Sequence, residues 1–298
     1  MALDIHATRL ILLAKREGVD FTRTATLGHQ WMRTEPSSLR SIFEQMHVPM
    51  APDLSAQIAA TAPYADGFLR SLGAQVVESI DASRYEEASL IHDMNREIPE
   101  PLAGRFTLLL DCGTLEHVFN FPVAIANCMR LLQVGGHLLF ATPANNFMGH
   151  GFYQFSPELF YRVLSAENGF QVQHMFLCEL RHAGAWYELS DPAVLRSRVE
   201  LINSTPTYLL VLAKKVAEVP VLGSTPQQSD YESISWTKTG AAAGNSTPGH
   251  GLRALGRQLA PGWMKDLKAA ILQRLRPPFA APYFRRVSKR SVRNLVRN

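Results

Sequence analysis

The stretch LLLDCGTLEHVFNFP, residues 108–122, changes abruptly from three leucines to acidic, thiol, hydroxyl and imidazole side chains. Asp111 is the first of these polar residues and His117 is the last. Burying such groups without partners is costly, so they either cap the end of a buried strand or line a site at that end. The rest of the chain has to decide between these two interpretations.

The chain around this stretch alternates between short apolar strands and helices of amphipathic spacing. Such alternation predicts a parallel sheet that is covered on both faces. Two last strands, over residues 170–180 and 205–215, are separated by a long excursion and predict an antiparallel edge. We therefore predict an α/β fold: a doubly wound, mostly parallel, Rossmann-like sheet of about seven strands. The predicted parallel strands span residues 19–28, 74–81, 87–93, 105–111 and 136–143, and the predicted helices span residues 4–18, 37–47, 64–73, 120–136 and 156–169.

An acidic residue stands at the end of three successive predicted strands, namely Asp81, Asp93 and Asp111. In a doubly wound sheet, ligands bind beyond the carboxyl ends of the strands. One such residue is typical of a strand end or a helix cap, whereas three at equivalent positions favour a site. The opening stretch is therefore interpreted as the rim of a ligand site, with capping as the alternative.

Five segments, taken in order, resemble the class I S-adenosylmethionine-dependent methyltransferases. They are SIDAS (79–83), HDMNREIP (92–99), LLLDCGTLEHV (108–118), CMRLLQVGGHLLFATP (128–143) and NGFQV (168–172). The resemblance is greatest to the branch that methylates small molecules, which includes the ubiquinone-biosynthesis O-methyltransferases. It implies that a methyl group moves from S-adenosylmethionine to a small-molecule or saccharide acceptor, at oxygen.

The same resemblance implies which residues bind the cofactor. Asp81 would accept hydrogen bonds from both ribose hydroxyls, which suits a carboxylate with two oxygens and no donor. Asp93 would accept one from the adenine amino group, and Met94 would pack on the ring. The methionine end of the cofactor would be flanked by Asp111, Cys112, Gly113 and Thr114.

The segment TATLGHQ, residues 24–30, departs from the resemblance. The family has a glycine-rich loop here, which lets the backbone approach the cofactor closely. Only Gly28 remains, and His29 and Gln30 occupy the positions of further glycines. A non-catalytic relative that keeps the fold for binding or scaffolding is therefore the alternative to an enzyme. A nicotinamide-dependent oxidoreductase is disfavoured, because GxGxxG is absent where that fingerprint belongs.

Methyl transfer to a hydroxyl needs a general base, and histidine has the unperturbed pKa nearest to neutral. His117 follows Glu116 directly, and Glu116 could orient its imidazole. His150 lies in a loop after the fifth strand whose composition is typical of a substrate-binding lid. We therefore predict catalytic roles for His150, His117 and Glu116, although packing or capping would also explain residues at these positions. No third ligand follows the Glu–His pair at a metal-site spacing, so we predict no metal.

Cysteine usage and hydropathy indicate a cytoplasmic protein. Cys112, Cys128 and Cys178 form no CxxC pair, which argues against a disulfide framework and suits a reducing compartment. The first residues contain only a short apolar run, which is not typical of a signal peptide. No stretch reaches the roughly 18 apolar residues that a transmembrane helix needs.

Charge divides the chain into an acidic body and a basic end. Residues 1–250 contain 18 Lys and Arg against 25 Asp and Glu, whereas residues 251–298 contain 12 against one. We predict a methyltransferase-like Rossmann domain over residues 1–218, a flexible linker over 219–250, and a basic amphipathic tail over 251–298.

The tail has apolar residues at four-residue intervals, with basic residues largely off that stripe. This spacing is typical of a helix that lies on an anionic membrane surface, here the inner face of a membrane. Docking on the body and a solvated, disordered end are the alternatives, and nucleic acid is not an expected partner. The apolar stripe consists of Trp263, Leu267, Ile271 and Leu275.

Overall fold

In the part of the chain that the structure describes, a mixed sheet of nine strands is the centre of the computed structural model. The structure describes residues 2–180, 185–223, 225–231, 279 and 283–287. The strands are β1 (Ala2–Leu3), β2 (Arg23–Leu27), β3 (Trp31–Met32), β4 (Val76–Asp81), β5 (Leu90–Ile91), β6 (Phe106–Asp111), β7 (Leu132–Asn145), β8 (Phe170–Glu179), β9 (Trp186–Leu189), β10 (Thr207–Lys215) and β11 (Phe284–Val287). The helices are α1 (Ile5–Arg16), α2 (Pro36–Met46), α3 (Leu54–Thr61), α4 (Asp66–Ser71), α5 (Phe121–Leu131), α6 (Pro157–Val163) and α7 (Pro192–Leu195), and three 3₁₀ turns cover Glu100–Leu102, Leu115–His117 and Ala166–Asn168.

The order of strands in the large sheet is β11-β9-β8-β10-β7-β6-β2-β4-β5. The five strands from β7 to β5 are parallel to their neighbours, and in chain order they lie as 5-4-1-2-3, which is the arrangement of a Rossmann sheet. The strands β10, β8, β9 and β11 continue the sheet in antiparallel pairs. The predicted α/β class with a large central sheet is therefore confirmed.

Two details of the predicted sheet are wrong. Over the described residues it has nine strands instead of about seven, and half of its neighbouring pairs are antiparallel, so that it is mixed and not mostly parallel. The additional strands are β9 and β11. Both have only four residues, too few for a clear alternation of apolar and polar positions, and both are stabilised by pairing along the sheet.

The three leucines before Asp111 divide between two cores on opposite faces of the sheet. Leu108 and Leu110 belong to one cluster with α1, α2 and α4, whereas Leu109 belongs to another with α5 and α6. Successive side chains of a strand point to opposite faces, so a strand covered on both sides has to be apolar throughout. All six residues of β6 are buried, and the polar residues begin where this cover ends.

Local sequence signals place several helix ends correctly. Ser156 caps α6 by accepting a hydrogen bond from the backbone N–H of Leu159, and Pro157 is its first residue. Gly73 follows α4 with a φ of 104°, which only glycine adopts without strain. The predicted helix over 120–136 ends early, at Leu131, because the chain enters β7 directly. The short helices α3 and α7 were not predicted.

Part of the predicted tail is a strand at the end of the sheet. β11 pairs with β9 in antiparallel register, and its Phe284 and Val287 are buried. Arg285 forms an ion pair with Glu188 of β9. These residues fit the docking alternative, whereas the predicted amphipathic helix with Trp263 lies outside the described residues. Among the helices that the structure describes, none has the length and apolarity to cross a membrane.

Replacing Phe284 with Ser tests this docking. The change removes a buried aromatic ring, so we expect the free energy of unfolding to fall by about 2–3 kcal/mol. Arg286→Ser is the matched control, because Arg286 is an exposed residue of the same strand, and its effect should stay within about 0.5 kcal/mol. Urea unfolding measures both. Equal unfolding midpoints for the two variants would contradict the packing of β11.

Candidate functional site at the carboxyl ends of the strands

The predicted rim residues come together at one edge of the sheet. Leu27, the last residue of β2, pairs with Ile80 on one side and with Asp111 on the other. Asp81 and Gly28 therefore lie next to each other beyond the same edge, and the Gly28 N–H donates to the Ile80 carbonyl at 2.7 Å. Asp93 follows β5 by two residues on the same side.

Two of the rim carboxylates also cap local turns. Asp81 accepts a hydrogen bond from the Ser83 N–H at 3.0 Å. Asp93 accepts two from Asn95, through its side-chain and backbone N–H groups, and these bonds lower the pKa of Asp93. An ionised carboxylate has about four acceptor sites, so both retain capacity for a ligand. Met94 is buried in the core beside α5, and its predicted contact with adenine stays a prediction.

The two residues that replace glycines form specific bonds of their own. His29 contacts the Glu86 carbonyl through Nδ1 at 2.7 Å and the Asp66 carboxylate through Nε2 at 2.9 Å, and its ring stacks on Tyr64. Gln30 is buried, and its Nε2 donates to the Leu27 carbonyl at 2.6 Å. Sequence reasoning treated these residues only as lost glycines, whereas they join the end of β2 to α4 and to the loop after β4.

Asp111 combines both interpretations of the opening stretch. Its buried carboxylate accepts hydrogen bonds from the N–H groups of Thr114 at 2.9 Å and Leu115 at 3.4 Å, and so caps the turn after β6. Gly113 has a φ of 104°, which allows the tight turn between them. Burial, followed by the proximity of Glu116, raises the pKa of Asp111. Cys112 is buried beside it, and burial raises the pKa of its thiol.

Glu116 carries the most unusual group of the rim. Only 1% of its surface is exposed, and neither carboxylate oxygen has a hydrogen-bond partner within the part of the chain that the structure describes. The Nε2 atom of His150 lies 3.3 Å from Oε1. Burial raises the pKa of Glu116, because the charged form loses its hydration.

The loop after β7 is fastened to the turn that carries Glu116. The backbone carbonyl of Glu116 accepts hydrogen bonds from the N–H groups of Phe152 at 2.7 Å and Tyr153 at 3.2 Å. Gly151 lies against this carbonyl with a φ of 70°, and a Cβ atom there would be only 2.7 Å from the carbonyl oxygen. The backbone N–H of His150 in turn donates a hydrogen bond to the Phe147 carbonyl at 2.9 Å.

These bonds bring the three predicted catalytic residues into one group. The ring centroids of His117 and His150 are 4.8 Å apart. Burial and the nearby His150 lower the pKa of His117, which favours its neutral form. One carboxylate oxygen of Glu116 and one ring nitrogen each of His117 and His150 lie within 4.8 Å of one another. The sequence offered no third residue beside the Glu–His pair, whereas the fold supplies His150.

Exposed apolar side chains stand beside this group. Met148, Phe119 and Phe152 are 91%, 70% and 66% exposed, and the two phenyl rings contact each other edge to face at 5.5 Å. Single exposed apolar residues are common, but a cluster beside polar groups is typical of a binding surface. A ligand with an apolar part fits this surface.

Comparisons with known proteins assign no family to the chain. No protein-family profile matches it, and no curated protein matches it. Solved structures resemble it weakly. One is a branched-chain polyamine synthase from Thermus thermophilus in complex with N4-aminopropylspermidine and 5'-methylthioadenosine, with 12% identity, a TM-score of 0.39, and coverage of 76% of this chain but only 62% of the synthase.

Two further solved structures have methyltransferase descriptions. The N-methyltransferase NodS from Bradyrhizobium japonicum, in complex with S-adenosylhomocysteine, has 16% identity and a TM-score of 0.37, over 70% of this chain and 84% of NodS. A putative S-adenosylmethionine-dependent methyltransferase from Listeria monocytogenes has 14% identity and a TM-score of 0.37. The match covers 71% of this chain and 100% of the Listeria chain. Similarity at this level does not establish a shared activity.

The charge of Glu116 should destabilise the protein as the pH rises. Because its pKa is higher in the folded chain than in the unfolded chain, the folded state binds more protons, and stability falls as pH increases through that interval. Glu116→Gln removes this titration. Between pH 5 and pH 8, we expect the free energy of unfolding of the variant to fall by about 1–3 kcal/mol less than that of the wild type.

Thermal unfolding in a chelating buffer measures this difference. Glu167→Gln is the matched control, because Glu167 is an exposed residue far along the chain, and its pH dependence should follow the wild type. If Glu116→Gln also followed the wild type, the carboxylate would be as well solvated in the folded protein as in the unfolded chain.

Proposed function

We propose that the chain is a methyltransferase that moves a methyl group from S-adenosylmethionine to a small-molecule acceptor, at oxygen. The observation that carries this proposal is the meeting of two groups at one edge of the sheet. Rim carboxylates end or follow the parallel strands β4, β5 and β6, and Glu116 and His117 stand in the turn directly after β6, with His150 of the loop after β7 beside them. A saccharide acceptor is part of the same proposal, since it too would present a hydroxyl.

The rim residues fit the cofactor chemically. S-adenosylmethionine presents ribose hydroxyls, amino groups and a positive sulfonium, and Asp81 and Asp93 are acceptors of hydrogen bonds with negative charge. Gly28 and Gly113 both have positive φ and no side chain, so the backbone is open to close approach at the ends of β2 and β6. The cofactor, when bound, supplies an electrophilic methyl group, and the protein has to position the acceptor.

The His150 side chain is well placed to take the proton of an acceptor hydroxyl. It is half exposed, and Glu116 lies 3.3 Å from its Nε2. An acid group beside an imidazole helps to orient the ring, and imidazole is the side chain that most often acts as a general base. The exposed rings of Phe119 and Phe152 would hold the apolar part of the acceptor beside it.

A non-catalytic binding protein is the second candidate, and the end of β2 favours it. His29 and Gln30 bond to neighbouring segments where a glycine-rich loop would leave space. If these bonds close the crevice between β2 and β4, the fold would serve another ligand. The two candidates differ in whether the chain binds S-adenosylmethionine at all.

Calorimetric titration with S-adenosylhomocysteine distinguishes them. The wild type should bind, and Asp81→Asn should bind about 10- to 100-fold more weakly, since hydrogen bonds to a charged acceptor contribute about 1.5–3 kcal/mol. The substitution retains an oxygen that can accept the Ser83 N–H, so the local turn is preserved.

Asp20→Asn is the control for this titration. Asp20 also caps the N–H two residues ahead, at 2.8 Å from Thr22, but it precedes β2 at the opposite edge of the sheet. The affinity of Asp20→Asn for S-adenosylhomocysteine should equal that of the wild type. Absence of binding to the wild type would support the second candidate, and equal affinities of wild type and Asp81→Asn would remove the ribose role of Asp81.

A further inference from the structure

We propose that Glu116, His117 and His150 bind one divalent transition-metal ion. Two independent observations point to it. One potential ligand atom from each of the three residues, an imidazole nitrogen or a carboxylate oxygen, already lies within 4.8 Å of the other two. The buried Glu116 carboxylate, in addition, has no hydrogen-bond partner among the described residues.

The unpartnered carboxylate is the stronger of these observations. Burying a carboxylate is expensive, and buried charges in proteins are normally paired or coordinate a metal. Asp111, the neighbouring buried acid, follows this rule, because two backbone N–H groups donate to it. Among the described residues, His150 lies 3.3 Å from Oε1 of Glu116 without forming a hydrogen bond to it, and His150 and His117 both belong to the same cluster. A cation at this point would satisfy its oxygens.

The distances suit an ion of the size of Zn²⁺. Histidine nitrogens and carboxylate oxygens bind Zn²⁺ at about 2.0–2.2 Å, which places two ligand atoms of a tetrahedral site roughly 3.3 Å apart. The separation between Glu116 Oε1 and His150 Nε2 is 3.3 Å. The other ligand atoms are at most 4.8 Å apart, so they have to approach one another by at most about 1.5 Å to bind the same ion. The rings of His117 and His150 are exposed, which leaves them room to turn.

The ligand types select the class of metal. Two imidazoles and one carboxylate suit Zn²⁺, Co²⁺ or another transition metal, whereas Mg²⁺ and Ca²⁺ prefer ligand sets made of oxygen alone. Three protein ligands leave further coordination positions open, which is the arrangement of catalytic sites and not of structural ones. The exposed side of the cluster would admit water or an acceptor oxygen there.

Backbone contacts hold the ligands in place before any metal arrives. Glu116 and His117 are consecutive residues of the turn that Asp111 caps, and His150 is held beside them because the Glu116 carbonyl accepts two N–H groups from Phe152 and Tyr153. Gly151 permits this contact, since a Cβ atom would collide with the same carbonyl. Gly151→Ala should therefore displace His150 and weaken metal binding.

The metal would also change the chemistry of the site. With the metal bound, His150 would be a ligand instead of the base, and a hydroxyl bound to the ion would have a lowered pKa and lose its proton to solvent. This consequence rests on the proposed methyl transfer, whereas the binding of the metal does not. The two can therefore be tested separately.

Titration of the metal-free, full-length protein with Co²⁺ tests the site without S-adenosylmethionine. We expect one Co²⁺ per chain, seen as visible absorption, with at least a tenfold loss of affinity in His117→Ala, in His150→Ala and in Glu116→Gln. Gly151→Ala should bind several-fold more weakly. The controls are His92→Ala, a partly exposed rim histidine outside the cluster, and Gly149→Ala, at a neighbouring glycine where an added Cβ atom would meet nothing within 4 Å.

The outcomes separate this inference from the proposed function. No Co²⁺ absorption in the wild type, or equal affinity in the wild type and the three ligand variants, would overturn the metal site. A loss of binding in His92→Ala would place the metal elsewhere on the rim and would equally overturn it. Binding of S-adenosylhomocysteine is measured independently, in a chelating buffer. The metal site and the cofactor site can therefore each be refuted without the other.

Discussion

The candidate site depends on the backbone carbonyl of Glu116, which accepts hydrogen bonds from Phe152 and Tyr153. β6 and β7 are neighbouring parallel strands, so the chain leaves both at the same edge of the sheet. Adjacency alone would leave two independent loops there. The two hydrogen bonds, which only a glycine at position 151 permits, turn these loops into one unit and set the histidines against each other.

This unit holds two buried acids close together, and they have different surroundings. Asp111 is satisfied by the backbone of the turn that it caps, and so it serves the fold. Glu116 is left without such bonds among the described residues, and burial alone opposes its charge. A group that lowers stability and is retained at the rim of a site is typical of function, because active sites often sacrifice stability. Of the two acids, Asp111 therefore stabilises the fold, and Glu116 is the one that fits a role in the site.

Features of local origin could be predicted from the sequence. The apolar run that ends at Asp111 predicted a strand covered on both faces, and Ser156 with Pro157 predicted the start of α6. Features that depend on distant pairing could not. β11 exists because β9 is an open edge, and His150 joins Glu116 only through the loop after β7. The bonds of His29 likewise involve α4, which no spacing rule connects to β2.

Anomalous diffraction from crystals grown with Zn²⁺ and S-adenosylhomocysteine tests the central claim, that this edge of the sheet is a ligand site, most directly. The account predicts one zinc peak about 2.0–2.2 Å from Glu116, His117 and His150. It also predicts density for the adenosine beyond the ends of β2 and β4, with its ribose at Asp81. Zinc bound elsewhere, together with an edge free of adenosine, would contradict the account.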